Sequence, residues 1–269
     1  MEKNNQKKKG LIIVNIILII LVVCLSGYII YDKALKENNN INKKENTKDK
    51  QYNLDDYIIV TNFEVNKDCE KCNVQGNVKT IEFKSLPSNL ISEFNEKHQK
   101  FINPSSSEEV ETKLSNEINY EINNNLLSVY TKENKAYERE TNYNYYSVNI
   151  DLNTKTIITN QELLKIYNIN SYVMFEKILK NIKNTVTVDK FLLSTTGDIT
   201  ADKISLSEFD NNISTYAKDI ENKYDVVTLY LKNNKLVAVY TQSEILSLLN
   251  MGTHMNIGLI SEPQVIELN

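Results

Sequence analysis

Apolar and polar positions fall into three regimes along the chain. Residues 11–30, LIIVNIILIILVVCLSGYII, form a twenty-residue run without a charge, with Asn15, Ser26 and Tyr28 as its clearly polar members. At 1.5 Å per residue such a helix spans roughly 30 Å, one hydrocarbon core. Residues 33–50, KALKENNNINKKENTKDK, have no apolar periodicity and read as a solvated spacer. Beyond about residue 53, periods of two and of roughly 3.6 alternate, the signature of a folded region that mixes strands and helices.

Two strand-like runs open that region, YIIVTNFEV (57–65) and VKTIEFK (78–84). A helix is predicted next, with Ser85 as N-cap and Pro87 in its first turn, carrying Leu90, Ile91, Phe94, His98 and Phe101 at helical spacing. His98 reads as a residue at the edge of the core. A second helix is expected to start in SSSEE, where Ser105 with Glu108 or Ser106 with Glu109 makes a capping box. Val110, Leu114, Ile118, Ile122 and Leu126 then recur every four residues as its buried stripe. The segment NYNYYSVNIDL (142–152) alternates with period two, placing Tyr146, Val148, Ile150 and Leu152 on an inward face. Tyr143 and Tyr145 then face the other way, with Tyr137 in the same parity if the strand extends that far. Three further helices follow: one capped by Thr159 and Glu162, one with Phe175, Ile178, Leu179 and Ile182, and one capped by Ser205 and Glu208. A hairpin, DVVTLYLK–NN–KLVAVYT, turns at Asn233-Asn234, which supply the positive φ angles of a type I′ turn. SEILSLL reads as a short helix and MNIGLIS as a last strand. The pattern predicts an α+β fold, mainly an antiparallel sheet with packed helices, preceded by a single transmembrane helix.

Lysines 3, 7, 8 and 9 precede the apolar run, which orients residues 1–10 as a cytoplasmic tail and the rest outside. The run exceeds the core of a cleaved signal, and Cys24-Leu25-Ser26 makes a poor cleavage site, so residues 11–31 read as a retained anchor. Residues 32–52 are then a flexible linker, 53–104 the N-terminal strands and helix, and 105–269 the α+β domain. Charge changes the picture little: 31 basic against 35 acidic residues, net −4, with no basic concentration for nucleic acid. Arg139 is the only arginine, and the wealth of Asn, Lys and Ile fits an AT-rich genome.

The candidate chemistry is sparse. Cys69 and Cys72, in DCEKC between the first two strands, are a disulfide candidate outside the membrane; free thiols, a redox pair or metal ligation are the alternatives. No Gly-x-Ser-x-Gly, HExxH or phosphate loop occurs in the sequence, and the two histidines, His98 and His254, are far apart. Neither a metal nor a cofactor is expected. Tyr137, Tyr143 and Tyr145 are the candidate ligand-binding residues, because exposed tyrosines contact proteins and stack on sugars; cross-strand pairing is the alternative.

The stretch YYSVNIDLNTKTIITNQELLK (145–165) resembles a signature of the RsiV-like extracytoplasmic domain, the DUF3298/DUF4163 group of Gram-positive surface proteins. That group reads Asn-Phe-Asp-Leu-x-Thr-Gly-Lys, a hydrophobic residue, then Asp-Leu-Phe. Asn149, Asp151, Leu152 and Thr154 match directly, and Ile158, Glu162, Leu163 and Leu164 match in kind. The resemblance covers about residues 108–260. Lys155 replaces the turn glycine, and YTKENKAYERET stands where the group has Tyr-Thr-Gly-Gly-Ala-His. Relatives include anchored anti-sigma factors with a lysozyme-binding outer domain and wall deacetylases that carry a separate catalytic domain. The short tail leaves no room for a sigma-binding domain, so the resemblance implies the sensor or binding domain on a bare anchor.

The function expected is a membrane-anchored extracytoplasmic module that recognises cell-wall material or a surface or secreted protein, without catalysis. A carboxylate-dependent wall hydrolase, with His254 as a candidate participant, and a structural accessory acting through the membrane segment and Asn15 are the alternatives.

Overall fold

In the computed structural model, which describes residues 52–69, 72–103, 111–137, 140–196, 198, 200–254 and 258–269, the first alternating run folds as a long hairpin. Strand β1 (Ile58–Cys69) pairs antiparallel with β2 (Cys72–Phe83) over their full length. Two-stranded ribbons twist strongly, and here opposite faces are buried at the two ends. Ile58 and Ile81 pack in one cluster, while Val65, Val74 and Val78, of the other parity, pack in a second. The expected anchor at 11–31, the tail and nearly all of the linker lie outside the described residues. Among the described residues no helix is long and apolar enough to cross a membrane.

Helix α1 (Ser88–Ile102) buries Leu90, Ile91, Phe94, His98 and Phe101, the predicted stripe. Its N-cap is Pro87 rather than Ser85. Ser85 sits at φ +55, a left-handed conformation that cannot enter the helix, and Leu86 is held off it by the following proline. The crossover through α1 brings β3 (Glu111–Asn123) parallel to β2 over a short ladder, Asn73–Gly76 against Glu111–Leu114. A Cβ on Gly76 would lie 2.2 Å from the Leu114 carbonyl oxygen, so the two strands meet where only glycine fits.

The helix expected to carry Leu114, Ile118 and Ile122 is therefore a strand. A spacing of four satisfies both a helical stripe and every second residue of one strand face. Pairing on both sides, with β2 and with the strand that follows, decides for the strand. Leu126 begins the next strand, and the expected capping boxes and Val110 lie outside the described residues. Strands β3, β4 (Leu126–Ala136), β5 (Thr141–Asp151) and β6 (Thr156–Ile157) form an antiparallel meander, completing a six-stranded sheet in the order β1-β2-β3-β4-β5-β6.

After the meander come α2 (Asn160–Ile166), α3 (Ser171–Thr185), a small hairpin of β7 (Lys190–Leu192) and β8 (Lys203–Ser205), and α4 (Leu206–Ile220). The Thr159–Glu162 capping box forms in full, and Ser205 caps α4 by accepting from the Glu208 N–H. Strands β9 (Thr228–Lys232) and β10 (Lys235–Tyr240) turn through Asn233 and Asn234 at φ +54 and +61, as the sequence predicts. Helix α5 (Gln242–Leu248) follows. The last strand is β11 (Gln264–Glu267), later than the expected MNIGLIS; Gly258, at φ +82, instead makes a turn.

Parity assigns the layers. Leu127, Val129, Tyr146, Val148 and Ile150 pack with α1 on one face of the large sheet. Tyr130 and Tyr145 lie on the other face against Tyr230, Val237 and Val239 of the small sheet. The opposite side of the small sheet, Leu229, Leu231, Leu236, Ala238 and Tyr240, packs on α3 and α4 in the largest core. Residues Tyr52–Asn269 thus form one unit of helix, sheet, sheet and helices.

Candidate functional site

The large sheet positions the tyrosines singled out in the sequence. Tyr143 and Tyr145 share a parity on β5, opposite Asn134 and Lys132 of β4. Tyr137 is not on that strand. It lies just past β4, where its backbone N–H donates to the Glu140 carbonyl. The Tyr145 ring is half-buried against the small sheet, and its hydroxyl donates to Glu244 Oε2 at 2.7 Å. Glu244 also accepts from Thr241 Oγ1, so Tyr145 links the large sheet to the start of α5. Burial, with the bond to Glu244, pushes the Tyr145 phenol up. Tyr143 and Tyr137 are both partly exposed.

The other face of β4 and β5 carries a polar constellation that the sequence reading missed. Glu133 is 1% exposed and His98 2%. Glu133 Oε1 accepts from Tyr146 Oη at 2.5 Å and lies 3.0 Å from His98 Nδ1. Burial first, then the Glu133 charge, raises the Tyr146 pKa. His98 lies between Phe94 and Phe101 along α1. Thr131, the cross-strand neighbour of Tyr146, completes the inward row. The signal available in the sequence is a glutamate in phase with Leu127 and Val129; without β4 assigned as a strand that phase is invisible.

Above this buried group opens a cavity of about 280 Å³, lined by Lys97, Lys100, Phe101, Glu133, Lys135, Asn144, Tyr145 and Tyr146. Lys97 and Lys100 come from α1, one turn apart; Lys135 comes from β4 and has the same parity as Glu133. The Lys97 ammonium stands 5.6 Å from the Tyr146 ring centroid and 2.7 Å from Glu93. Lys100 pairs with Glu96, also at 2.7 Å. The cavity can hold a small polar group against ammonium donors, an amide and an aromatic wall. Among the described residues no group of three or more His, Cys, Asp or Glu is placed to hold a metal ion.

The residues that carried the family resemblance do structural work. Asn149 Nδ2 and Ser147 Oγ donate to the Leu229 carbonyl at 2.9 and 2.8 Å, and Ser128 Oγ accepts from the Leu231 N–H at 2.9 Å. These bonds satisfy the outer edge of β9. Asp151 accepts from the Asn153 and Thr154 N–H groups and so folds the following turn. Burial raises its pKa, but bonds from Thr154, Asn125 and Asn153 outweigh it and hold the carboxyl below its usual range. Lys155 occupies the glycine position of that turn at φ +54. His254 lies in a short turn after α5, and its residue is exposed. The backbone register sets Cys69 opposite Cys72 across the two-residue connection of the first hairpin.

The fold is a mixed α+β domain built on a large, mostly antiparallel sheet, with five α-helices among the described residues. It is similar to two solved structures. One is a DUF3298 family protein from Pseudomonas aeruginosa PAO1, at 10% identity, covering 57% of this chain and 92% of that one, with a TM-score of 0.30. The other is a member of the DUF3298 family from Bacteroides fragilis, at 12% identity, covering 78% of this chain and 89% of that one, with a TM-score of 0.35. No family model matches the chain, and no curated protein matches it.

Proposed function

We propose that the chain is a membrane-anchored extracytoplasmic binding or sensor module of the RsiV-like kind, held by residues 11–31 and recognising cell-wall material or a surface or secreted protein. The observation that carries the reading is the division of labour around α1. The open cavity presents Lys97, Lys100, Lys135 and Asn144, groups that bind, while His98 and Glu133 are bonded together in the interior. A general acid or base must reach its substrate, and the burial of this pair supports binding over catalysis.

The test is capture by the immobilised full chain of purified wall sacculi and, separately, of secreted and surface proteins including lysozyme. Retention of either class supports the reading; retention of neither overturns it. A variant with Tyr143→Ala and Tyr145→Ala tells whether the β5 face contributes, by loss or survival of capture. Release of soluble wall fragments during incubation would replace the binding reading with the hydrolase one.

A further inference from the structure

We propose that the uncovered edge of β5 takes an extended polypeptide segment as an added strand, in line with β6 and antiparallel to β5. This rests on the protein arm of the binding reading above and names the form in which the partner is recognised. The large sheet does not end in a full strand. Strand β6 pairs with β5 through Ile150 and Asp151 alone, and Thr141–Asn149 has no strand on that side among the described residues.

The backbone of this edge is set for a partner. The Ile158 N–H donates to the Asn149 carbonyl at 2.8 Å, so the backbone of Asn149 faces outward. In an antiparallel ladder outward groups recur every second residue, which turns the backbone of Ser147 and Tyr145 the same way. Exposed N–H and C=O groups at this spacing are a template for another chain, and residues 141–149 carry no proline, lysine or bulge to blunt it. A cleft of about 370 Å³ lies along the edge, lined by Leu90 and Phe94 of α1, by residues 146–149 of β5 and by Asp225 from the turn before β9. It shares Lys97 and Tyr146 with the cavity of about 280 Å³, so the two together follow β5 from Asn144 to Asn149. That is roughly 20 Å of strand, room for about six residues.

The walls of the cleft say which strand fits. Tyr146 and Val148 lie with Leu90 and Phe94 on the α1 side, and Ile157 adds an apolar side chain that is 50% exposed. Ser147 and Asn149 lie on the small-sheet side, where both donate to the Leu229 carbonyl. Asn149 is 4% exposed, and its Oδ1 has no hydrogen-bond partner among the described residues. A buried acceptor left open is costly until a donor reaches it, and a peptide N–H is such a donor. Lys97 is held by Glu93 at 2.7 Å, which leaves Asp225 as the uncompensated charge of the lining among the described residues. The occupant therefore alternates apolar residues toward α1 with polar or basic ones toward Asp225. A polypeptide backbone repeats its donors and acceptors at the period of this edge, which a sugar chain does not.

The experiment uses the full chain and a fluorescent heptapeptide, Val-Lys-Val-Thr-Val-Lys-Val, followed by anisotropy. Residues directly opposite Ser147 and Asn149 share their side of the sheet, so the lysine and threonine amides face β5 and the valine amides face away. N-methylation of the lysine and threonine amides should weaken binding by roughly tenfold or more, the scale of losing two or three hydrogen bonds; N-methylation of the valine amides should be tolerated. The peptide with glutamate in place of lysine should bind more weakly. D225N should narrow that preference, while E64Q/E82Q, on the first hairpin, should leave it unchanged. A melting curve for each variant separates lost preference from lost fold. Hydrogen exchange at the Ser147 and Tyr145 amides should slow when the peptide is bound.

The proposal is overturned by absence of peptide binding, by equal binding of the two N-methylated forms, or by unchanged exchange at Ser147 and Tyr145. Self-association of the chain that the peptide reverses would make the occupant a second copy and likewise overturn it. Capture of secreted or surface proteins that the peptide does not compete would leave the module reading standing and this inference fallen. Failure to capture wall or protein at all would remove the module reading itself.

Discussion

At the scale of single residues, asparagine does the work that glycine does in most chains. Among the described residues seven non-glycine positions have positive φ, and five of them are asparagine: Asn124, Asn168, Asn233, Asn234 and Asn250. Asparagine tolerates the left-handed region because its short amide bonds locally, so a chain with six glycines still makes tight turns. Ser85 and Lys155 are the exceptions, and the turn after β5 depends on Lys155. It has no such compensation at φ +54, and its N–H is committed to the Asp151 carbonyl at 2.8 Å. Lys155→Gly should therefore stabilise the domain by about 0.5–1 kcal/mol, the left-handed strain relieved less the added chain entropy. Urea unfolding of the two proteins decides it, and an unchanged or lower midpoint in the variant would show that the lysine is not strained. The same turn predicts an acid response. The Asp151 carboxyl is held below its ordinary value, so its contribution is present at neutral pH and lost as pH falls through its folded pKa. Asp151→Asn should lower stability at pH 7 by an amount that shrinks as the pH falls, read as the gap between the two proteins' urea midpoints.

At the scale of elements, the edge of β9 is the seam of the molecule. Its outward carbonyl at Leu229 and N–H at Leu231 find no strand; they find Ser147, Asn149 and Ser128 of the large sheet. Removing both donors to Leu229, by Ser147→Ala with Asn149→Ala, leaves a buried carbonyl unpaired at a cost of about 1–3 kcal/mol. Chemical denaturation measures that cost, and hydrogen exchange should show the Leu231 amide opening before those of β4; uniform protection would place the seam elsewhere. Elements with a single period were legible in the sequence. The α1 stripe, the Thr159 capping box and the Asn233-Asn234 hairpin needed only local chemistry. Strand β3 was not legible, because Leu114, Ile118 and Ile122 fit a helix and a strand alike, and pairing with β2 and β4 decided between them. The site suffered the same blindness. His98 and Glu133 are 35 residues apart and meet only because α1 lies across β4.

At the scale of the whole molecule, the two sheets close on tyrosine. Tyr130 and Tyr230 stack at 4.2 Å between ring centroids, with Tyr145 half-buried on one side of the small sheet and Tyr240 buried on the other. Burial raises the pKa of Tyr130, Tyr145 and Tyr146, and pushes Tyr230 and Tyr240 up to about 12. Unfolded tyrosine ionises near pH 10, so the folded state binds more protons above that pH. Stability should be flat to about pH 10 and fall steadily toward pH 12. Phenolate absorbance of these groups should then rise together with loss of the fold; a gradual rise in a protein that stays folded would show the rings to be open to solvent. The entry to the first hairpin also decides how the domain answers tension. The described chain enters at Tyr52, and Ile58, the first residue of β1, is paired with Phe83, the last of β2. A pull through Tyr52 meets first the bond from its hydroxyl to Asn153, in the turn after β5, and the packing of Leu54 and Tyr57 on the core. The entry to the hairpin is thus pinned to the meander and to α1 before its first rung is reached, so a load at this end is shared by the whole large-sheet layer and not carried by β1 alone.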